Sequence, residues 1–306
     1  MSGIKKLTSG MDRKYILYTV LSPLSMVGEV CMEICIPYVM ARIIDVGIIQ
    51  LHSFSYVVRT GLFMMALSVV SLIFGCFGSI FSARASQGFS DNLRRKLFNQ
   101  VQGFSFANID KFSTASLVTR LTTDVTNVQN VYRMLVQMCW RSPFMLIAGS
   151  FMAFRINAWI AMISLVSIPV LAAAIVIISL AAHPLFEKML RKYDSLNARI
   201  QENLIGIRVV KAYVRKDFEN EKFRTAAEEV RNAQVKAEQK IILLSPIMQI
   251  VVYSTIITVM WLGGKQVLFG SMQVGELTSF ITYVTQILSS LMMMGMIFTG
   301  VVLSIA

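Results

Sequence analysis

Histidine, cysteine and acidic side chains are scarce in this sequence. Its 306 residues include two His, four Cys, and 17 Asp and Glu against 29 Lys and Arg. His52 and His183 stand alone at segment ends, so neither belongs to an acid–base constellation. Cys31, Cys35, Cys76 and Cys139 all fall inside apolar stretches, which indicates neither a disulfide framework nor a zinc cluster. Cys31, Met32 and Cys35 carry soft donors of the kind that suit Cu(I), but Cys and Met are ordinary packing residues in apolar surroundings, and packing is the reading adopted. No cleavable signal peptide is evident, because the first apolar run is too long for one and no small-residue cleavage site follows it. A phosphate-cradling glycine-rich loop ending in Lys and Ser or Thr is also absent, so no residue is assigned to nucleotide hydrolysis.

Apolar residues, by contrast, make up 55% of the chain, and mean hydropathy is +0.63. That is too apolar for a soluble domain with a solvated surface. Six predominantly apolar runs of about 20 residues or more stand out, at 15–40, 60–83, 134–154, 158–182, 241–262 and 277–306. Hydrocarbon offers no partners for an open strand, so each run is expected to be a helix and the fold an all-α membrane protein with six transmembrane helices. The net charge of +12 would suit nucleic acid, but its placement points to a membrane. Four of the cations lie in 1–14, seven in the polar stretch 84–133 and 13 in 183–240, while the short connections hold only Arg42, Arg59, Arg155 and Lys265. The positive-inside bias puts segment 1–14, both long loops and the C-terminus in the cytoplasm, with the six-helix domain 15–306 in a plasma or inner membrane.

The long loops have a helical pattern. In 183–240, Phe186, Met189, Leu190, Tyr193, Asn197, Ile200, Leu204 and Ile207 keep three- and four-residue spacing, which predicts an amphipathic helix continuing out of the fourth span. Gly206 interrupts it. A second arm is expected from about Asp217, with Phe223, Ala226, Ala227, Val230 and Ala233 on one face and Glu228 paired with Arg231. Arms of about 25 residues reach about 35 to 40 Å from the membrane. Loop 84–133 repeats the plan: a helix over 84–102 with Phe89, Leu93, Leu97 and Val101 on one face, a turn over 103–116, and a return over 117–136. Both tips display apolar side chains rimmed by charge, Ile109 and Phe112 in one and Val209, Val210 and Tyr213 in the other, as a docking surface would.

Within the spans, charge is rare. Glu29 and Glu33 lie four apart on one face of the first span, where each would cost about 2.5–3.5 kcal/mol if it faced lipid at the bilayer centre. They are expected to face a cavity, and two roles stay open: attracting cationic or amphipathic substrates, or hydrogen bonding to neighbouring helices. Arg141 and, one turn before it, Gln137 are assigned to the same cavity, snorkelling of Arg141 to the interface being the alternative. Of Met292, Met293, Met294 and Met296, Met293 is taken as an adaptable cavity contact and the others as packing. Pro23, Pro37, Pro143, Pro169, Pro184 and Pro246 fall in or beside spans and are expected to bend them, as suits an alternately opening cavity and as also occurs in static membrane helices.

Residues 106–125, Phe-Ala-Asn-Ile-Asp-Lys-Phe-Ser-Thr-Ala-Ser-Leu-Val-Thr-Arg-Leu-Thr-Thr-Asp-Val, resemble the first intracellular loop of the exporter-type ABC transporter transmembrane domain. Residues 197–213, Asn-Ala-Arg-Ile-Gln-Glu-Asn-Leu-Ile-Gly-Ile-Arg-Val-Val-Lys-Ala-Tyr, resemble its second loop. Two further pieces agree, Ala-Arg-Ile-Ile-Asp-Val-Gly at 41–47 and Gly-Ser-Met-Gln-Val-Gly-Glu-Leu-Thr-Ser-Phe-Ile at 270–281. The likeness runs through the whole chain in order and is nearest to bacterial half-transporters of the multidrug and lipid export group. It implies pairing with a second transmembrane half, identical or related, with spans four and five reaching across, and coupling helices at the tips seated on ATP-binding domains. Carried over, the first coupling helix falls at 109–116, including Ile109, Asp110, Lys111 and Phe112. The second falls at 206–213, including Gly206, Ile207, Arg208, Val209, Lys211 and Tyr213. Ala115 departs from the Gly common in the family.

A larger departure is the absence of a nucleotide-binding domain. The final uncharged run, 277–306, stops without a cytoplasmic anchor, and the expectation is a fragment or an isolated transmembrane domain whose ATP and Mg²⁺ are bound elsewhere. The implied function is the translocating half of an ATP-driven exporter of small amphipathic, multidrug or lipid-like substrates, with the lipid bilayer and ATPase domains as partners and no nucleic acid. The competing reading is an ATP-independent carrier or scaffold whose basic hairpins bind anionic lipid or an acidic partner.

Overall fold

The computed structural model describes residues 10–104 and 114–304, and these are helical with no strand among them. In chain order the helices are α1 (Arg13–Arg42), α2 (Phe54–Gln102), α3 (Thr114–Thr119), α4 (Val125–Ile156), α5 (Ala158–Ile205), α6 (Ile207–Ala212), α7 (Lys216–Ile242), α8 (Leu244–Leu268) and α9 (Val274–Ser304). π-helical stretches follow α1 at Ile43–Gln50 and precede α4 at Arg120–Asp124.

All six expected spans fall within these helices as far as the described residues extend. Among them, Phe54–Gln102, Ala158–Ile205, Lys216–Leu268 and Val274–Gly300 are long and apolar enough to cross a membrane. The other two spans lie in α1, which carries Glu29 and Glu33, and α4, which carries Arg133, Gln137 and Arg141. The fifth differs from expectation in one respect: it is broken at Leu243, which separates α7 from α8. Pro246 accounts for the break, since it has no N–H to offer the carbonyl of Ile242 four residues before it.

The chain divides into two compact units. One takes in the chain up to Ala161 together with Met260–Ser290; the other is Met162–Val259 with the chain from Leu291. The divisions fall within α5, α8 and α9.

In the first unit α1 and α2 run antiparallel. Ser22 Oγ donates to the carbonyl of Gly78 at 2.9 Å, and Ser71 Oγ to that of Glu29 at 3.4 Å. These hydroxyls are the polar contacts that hold helices together where no water competes. α9 docks on the other end of α1: Tyr283 Oη donates to the carbonyl of Ile34 at 2.7 Å and Ser279 Oγ to that of Pro37 at 2.5 Å. Pro37 interrupts the helical hydrogen bonding of α1, and these α9 hydroxyls reach carbonyls beside the interruption. Beyond it, Asp45 Oδ1 accepts the Gly275 N–H at 2.6 Å in the first turn of α9. Glu276 Oε2 accepts the Gln273 N–H at 2.9 Å, so two donors at this helix start are satisfied by carboxylates.

Where α2 leaves its span, Phe89, Leu93 and Val125 form a buried cluster with Met11, and Tyr15, Leu97 and Tyr132 pack against it. Phe89 and Tyr132 stack with ring centroids 4.4 Å apart. Phe89, Leu93 and Leu97 of the face that the spacing assigns to α2 are thus in this cluster or against it; Val101 is not.

The second unit uses paired hydroxyls. Ser167 meets Thr255 and Ser179 meets Thr299, each at 2.7 Å and buried. The arms α5 and α7 are tied by Lys192 to Glu229 at 2.7 Å and by Tyr193 Oη to Gln234 at 3.1 Å. Ala226, Val230 and Ala237 form the buried face of α7. The expected Glu228–Arg231 pair is not among the ion pairs of the described residues. Arm-to-arm pairs with Glu229 and Glu202 stand beside two pairs along single helices, Arg191–Glu187 and Arg224–Glu221.

Gly275 is where α1 and α9 approach most tightly by backbone: an added Cβ would lie 2.5 Å from the carbonyl oxygen of Ala41 and 2.6 Å from Asp45 Oδ2. Gly264, also helical, has nothing within 4 Å. Thermal unfolding of the two Gly→Ala variants is expected to separate them. Gly275→Ala should destabilise by about 1–3 kcal/mol, and Gly264→Ala should be neutral or stabilise by up to about 1 kcal/mol.

Candidate functional site

Three charged side chains from two spans meet in the first unit. Arg141 Nη2 on α4 donates to Glu33 Oε2 at 2.9 Å and approaches Glu29 Oε1 at 3.5 Å, both on α1. The side chains retain 29%, 30% and 20% of their exposure respectively, so the cluster is half-buried rather than sealed. Helical geometry explains the convergence, since residues four apart on α1 share one face and present both carboxylates to one guanidinium. Glu29 fits beside α2 because residue 75 is glycine, where an added Cβ would sit 3.2 Å from its carboxyl group. As ionised side chains the three carry one negative charge in excess. Arg141 on α4 thus gives Glu29 and Glu33 a hydrogen-bonded partner on a neighbouring helix.

Gln137 and Met293 are the other residues assigned to the cavity. Gln137 is one turn before Arg141, but its amide turns to α2, donating from Nε2 to Ser79 Oγ at 3.3 Å, with Ser82 Oγ 3.5 Å from its Oε1. It braces α4 against α2 instead of joining the carboxylates. Met293 is half-buried and belongs to the second compact unit.

The second loop ends in the tip that its sequence predicts. α5 stops at Ile205, Gly206 begins a tight turn with φ −85° and ψ 5°, and α6 makes one and a half turns before α7 starts. Gly206 O accepts the N–H of Val209 at 2.9 Å and of Val210 at 3.1 Å. Val214, β-branched yet at φ 55°, closes the turn, its neighbour Arg215 bonding the carbonyl of Val210 at 3.0 Å. A β-branched residue in the left-handed region is an outlier that surrounding structure must enforce.

α6 has two apolar sides. Ile207 and Val210 line a cavity of about 400 Å³ between the arms, together with Ile200, Leu204 and Phe223. Val209, Tyr213 and Val214 point outward and are 60%, 75% and 84% exposed. Ile205 and Phe218 are exposed beside them. Arg208 and Lys211 are exposed and supply a basic rim. In the arm behind, the hydrogen bond and charge of Lys192 hold the Glu229 carboxyl below its usual range. Ile109, Asp110, Lys111 and Phe112 of the first tip lie outside the described residues; α3 and its π-helical continuation follow immediately after them.

Asp45 was not anticipated as a site residue. Its carboxylate, 4% exposed, joins the stretch 41–47 to the stretch 270–281 through Gly275. Burial pushes its carboxyl above the usual range, and the Gly275 N–H it accepts opposes the rise. The signal was present in the sequence as two separate motifs; only the fold brings them into contact.

The model of the ABC transporter transmembrane region matches residues 19–292. This chain belongs to that family. It is 32% identical over 281 residues, 92% of its length, to a Bacillus subtilis protein named as an uncharacterized ABC transporter ATP-binding protein, YfiB, and covers 49% of that relative. A Mycobacterium tuberculosis relative of the same description is 30% identical over 84% of this chain and 44% of its own length. An ATP-dependent lipid A-core flippase of Desulfotalea psychrophila is 26% identical over 67% of this chain and 36% of its own. The chain thus spans about half the length, or less, of the curated relatives it matches.

Removing Arg141 leaves two carboxylates in a half-buried span without their counter-ion. Arg141→Gln is expected to lower stability by about 2–4 kcal/mol. Adding Glu29→Gln and Glu33→Gln to it should restore most of the loss in thermal unfolding, whereas independent sites would lose further.

Proposed function

We propose that this chain is the substrate-translocating transmembrane half of an ATP-driven ABC exporter, acting as a homo- or heterodimer with ATPase domains seated on its loop tips. The observation that carries the reading is the tip formed by α6 and the turn after it: an apolar, outward-facing surface of Val209, Tyr213 and Val214 held at the end of two long helical arms. Exposed apolar side chains with a basic rim are stabilised by a partner, not by water. Under this reading 10–14, both hairpins and the end of α9 face the cytoplasm of a plasma or inner membrane, in keeping with the cation distribution.

The sequence has no phosphate loop, and the described residues include no group of three metal-ligating side chains. ATP and Mg²⁺ belong to the partner domains, and the work of this chain is to receive their motion at α6. The arms convert that motion into a choice between inward- and outward-open states. Moving such an equilibrium from 1:99 to 99:1 takes a differential of about 5.5 kcal/mol, which the tip contacts must transmit. The Asp45–Gly275 link closes α1 onto α9 at the opposite, short-loop end of these helices.

For substrate, the excess negative charge of the Glu29–Glu33–Arg141 cluster favours cationic amphipaths, and the similarity to a protein named as a flippase supports a lipid-like class. Met293 remains a candidate contact by its adaptable side chain. The ATP-independent carrier or scaffold rests on the basic arms alone, whereas relatives named as ATP-binding transporters support the exporter.

The test is to replace Val209 and Tyr213 by Ser in the complete transporter. Export of a fluorescent cation is expected to fall at least tenfold while the protein keeps its expression and its ATP binding. Substrate-stimulated ATPase and export at normal rates would refute the coupling role.

A further inference from the structure

Between α1 and α2, at the end near the short loop 43–53, lies a cavity of about 490 Å³ that plays no part in the coupling or in the Arg141 cluster. Its lining is ordered by polarity. Arg42 of α1 and Arg59 of α2 stand at one end with Tyr56; Cys35 of α1 and Phe63 and Leu67 of α2 stand at the other. The order follows from the antiparallel register that Ser22–Gly78 and Ser71–Glu29 fix, because continuing it places Arg42 level with Arg59 and Cys35 level with Leu67. Seven residues of helix separate the levels, a depth of about 10 Å. Phe63 is exposed on a helix apolar enough to cross a membrane, so the apolar end faces hydrocarbon and the arginine end faces the headgroup layer.

None of the lining residues is acidic, and neither Arg42 nor Arg59 takes part in an ion pair among the described residues. The acidic groups near Arg42 are Asp45 and Glu276, which line an adjoining cavity together with it and Arg155. Both are engaged elsewhere, Asp45 with the Gly275 N–H and Glu276 with the Gln273 N–H. Two guanidiniums without carboxylate partners at the mouth of an apolar slot match a phosphate, which Arg binds through paired N–H groups. The tyrosine beside them is of the type enriched at this depth.

We propose that this cavity holds one anionic phospholipid, its phosphate between Arg42 and Arg59 and an acyl chain along Cys35, Phe63 and Leu67. The lipid is a bound constituent of the leaflet at the short-loop side and is distinct from any transported substrate, so the assignment stands independently of the direction of transport.

Native mass spectrometry of the purified transporter, titrated with phosphatidylglycerol and with phosphatidylcholine, reads the preference. Two cations each contributing about fivefold at an anionic surface predict that phosphatidylglycerol is retained about 30-fold more tightly. Arg42→Gln with Arg59→Gln should reduce the ratio to about threefold or less, and Arg42→Lys with Arg59→Lys should keep most of it. An unchanged preference in the glutamine variant overturns the proposal. So does displacement of the lipid by glycerol phosphate at equal concentration, which would mean a site for a free anion. If the glutamine variant does not fold, Phe63→Trp supplies an independent readout: brominated phosphatidylglycerol should quench the added fluorescence at lower mole fraction than brominated phosphatidylcholine, and equal quenching overturns the assignment.

Discussion

Hydrocarbon cannot hydrogen-bond, and nearly every polar contact inside this domain is an answer to that constraint. A guanidinium in α4 is admitted because two carboxylates on one face of α1 receive it. Serine and threonine hydroxyls find one another or a carbonyl on a neighbouring helix, as Ser167 does with Thr255 and Ser22 with the backbone of Gly78. Each such contact has a geometric cost, which small residues relieve: Gly75 makes room for Glu29, and Gly275 lets the backbone of α9 come to Asp45. Packing and polar pairing are therefore one problem, and a change at either partner disturbs both.

Outside the hydrocarbon the constraint is reversed. There the arms are held by exposed pairs such as Lys192–Glu229, which contribute little individually in water. Stability of the arms comes instead from the small apolar face of α7, Ala226, Val230 and Ala237, and from the cluster around Phe89 and Val125. Against that background the apolar side chains left outside on α6 and just after it stand out, since among the described residues none covers Val209, Tyr213 or Val214. The strained backbone at Val214 holds the tip in a fixed shape, which suits a surface that transmits force.

Much of this was legible in the sequence, and the reasons are local. Span length and the three- and four-residue spacing of Phe186 to Ile207 depend on neighbours along the chain, so they predict α5, its end at Ile205 and the tip at Gly206. The break at Leu243 was missed although Pro246 marks it, because a continuous apolar run hides a single lost hydrogen bond. Pairings between distant elements could not be read. Which face of α4 meets α1 depends on the packing of side chains 108 residues apart, and so Arg141 and Gln137, one turn apart, look equivalent in sequence but bond to different helices. The Asp45–Gly275 contact joins residues 230 apart, each inside a motif whose partner the sequence does not name. Glu228 and Arg231 show the converse error: they have the spacing of a pair, yet no ion pair between them is found among the described residues.

On the proposed reading, α6 is a contact surface for an ATPase domain. A photo-crosslinking amino acid placed at Val209 in the complete transporter, activated in native membranes, tests it most directly. The account predicts adducts with the nucleotide-binding domain in high yield, absent when the same reagent is placed at lipid-facing Phe63. Adducts only with lipid or with unrelated proteins at Val209 would contradict it.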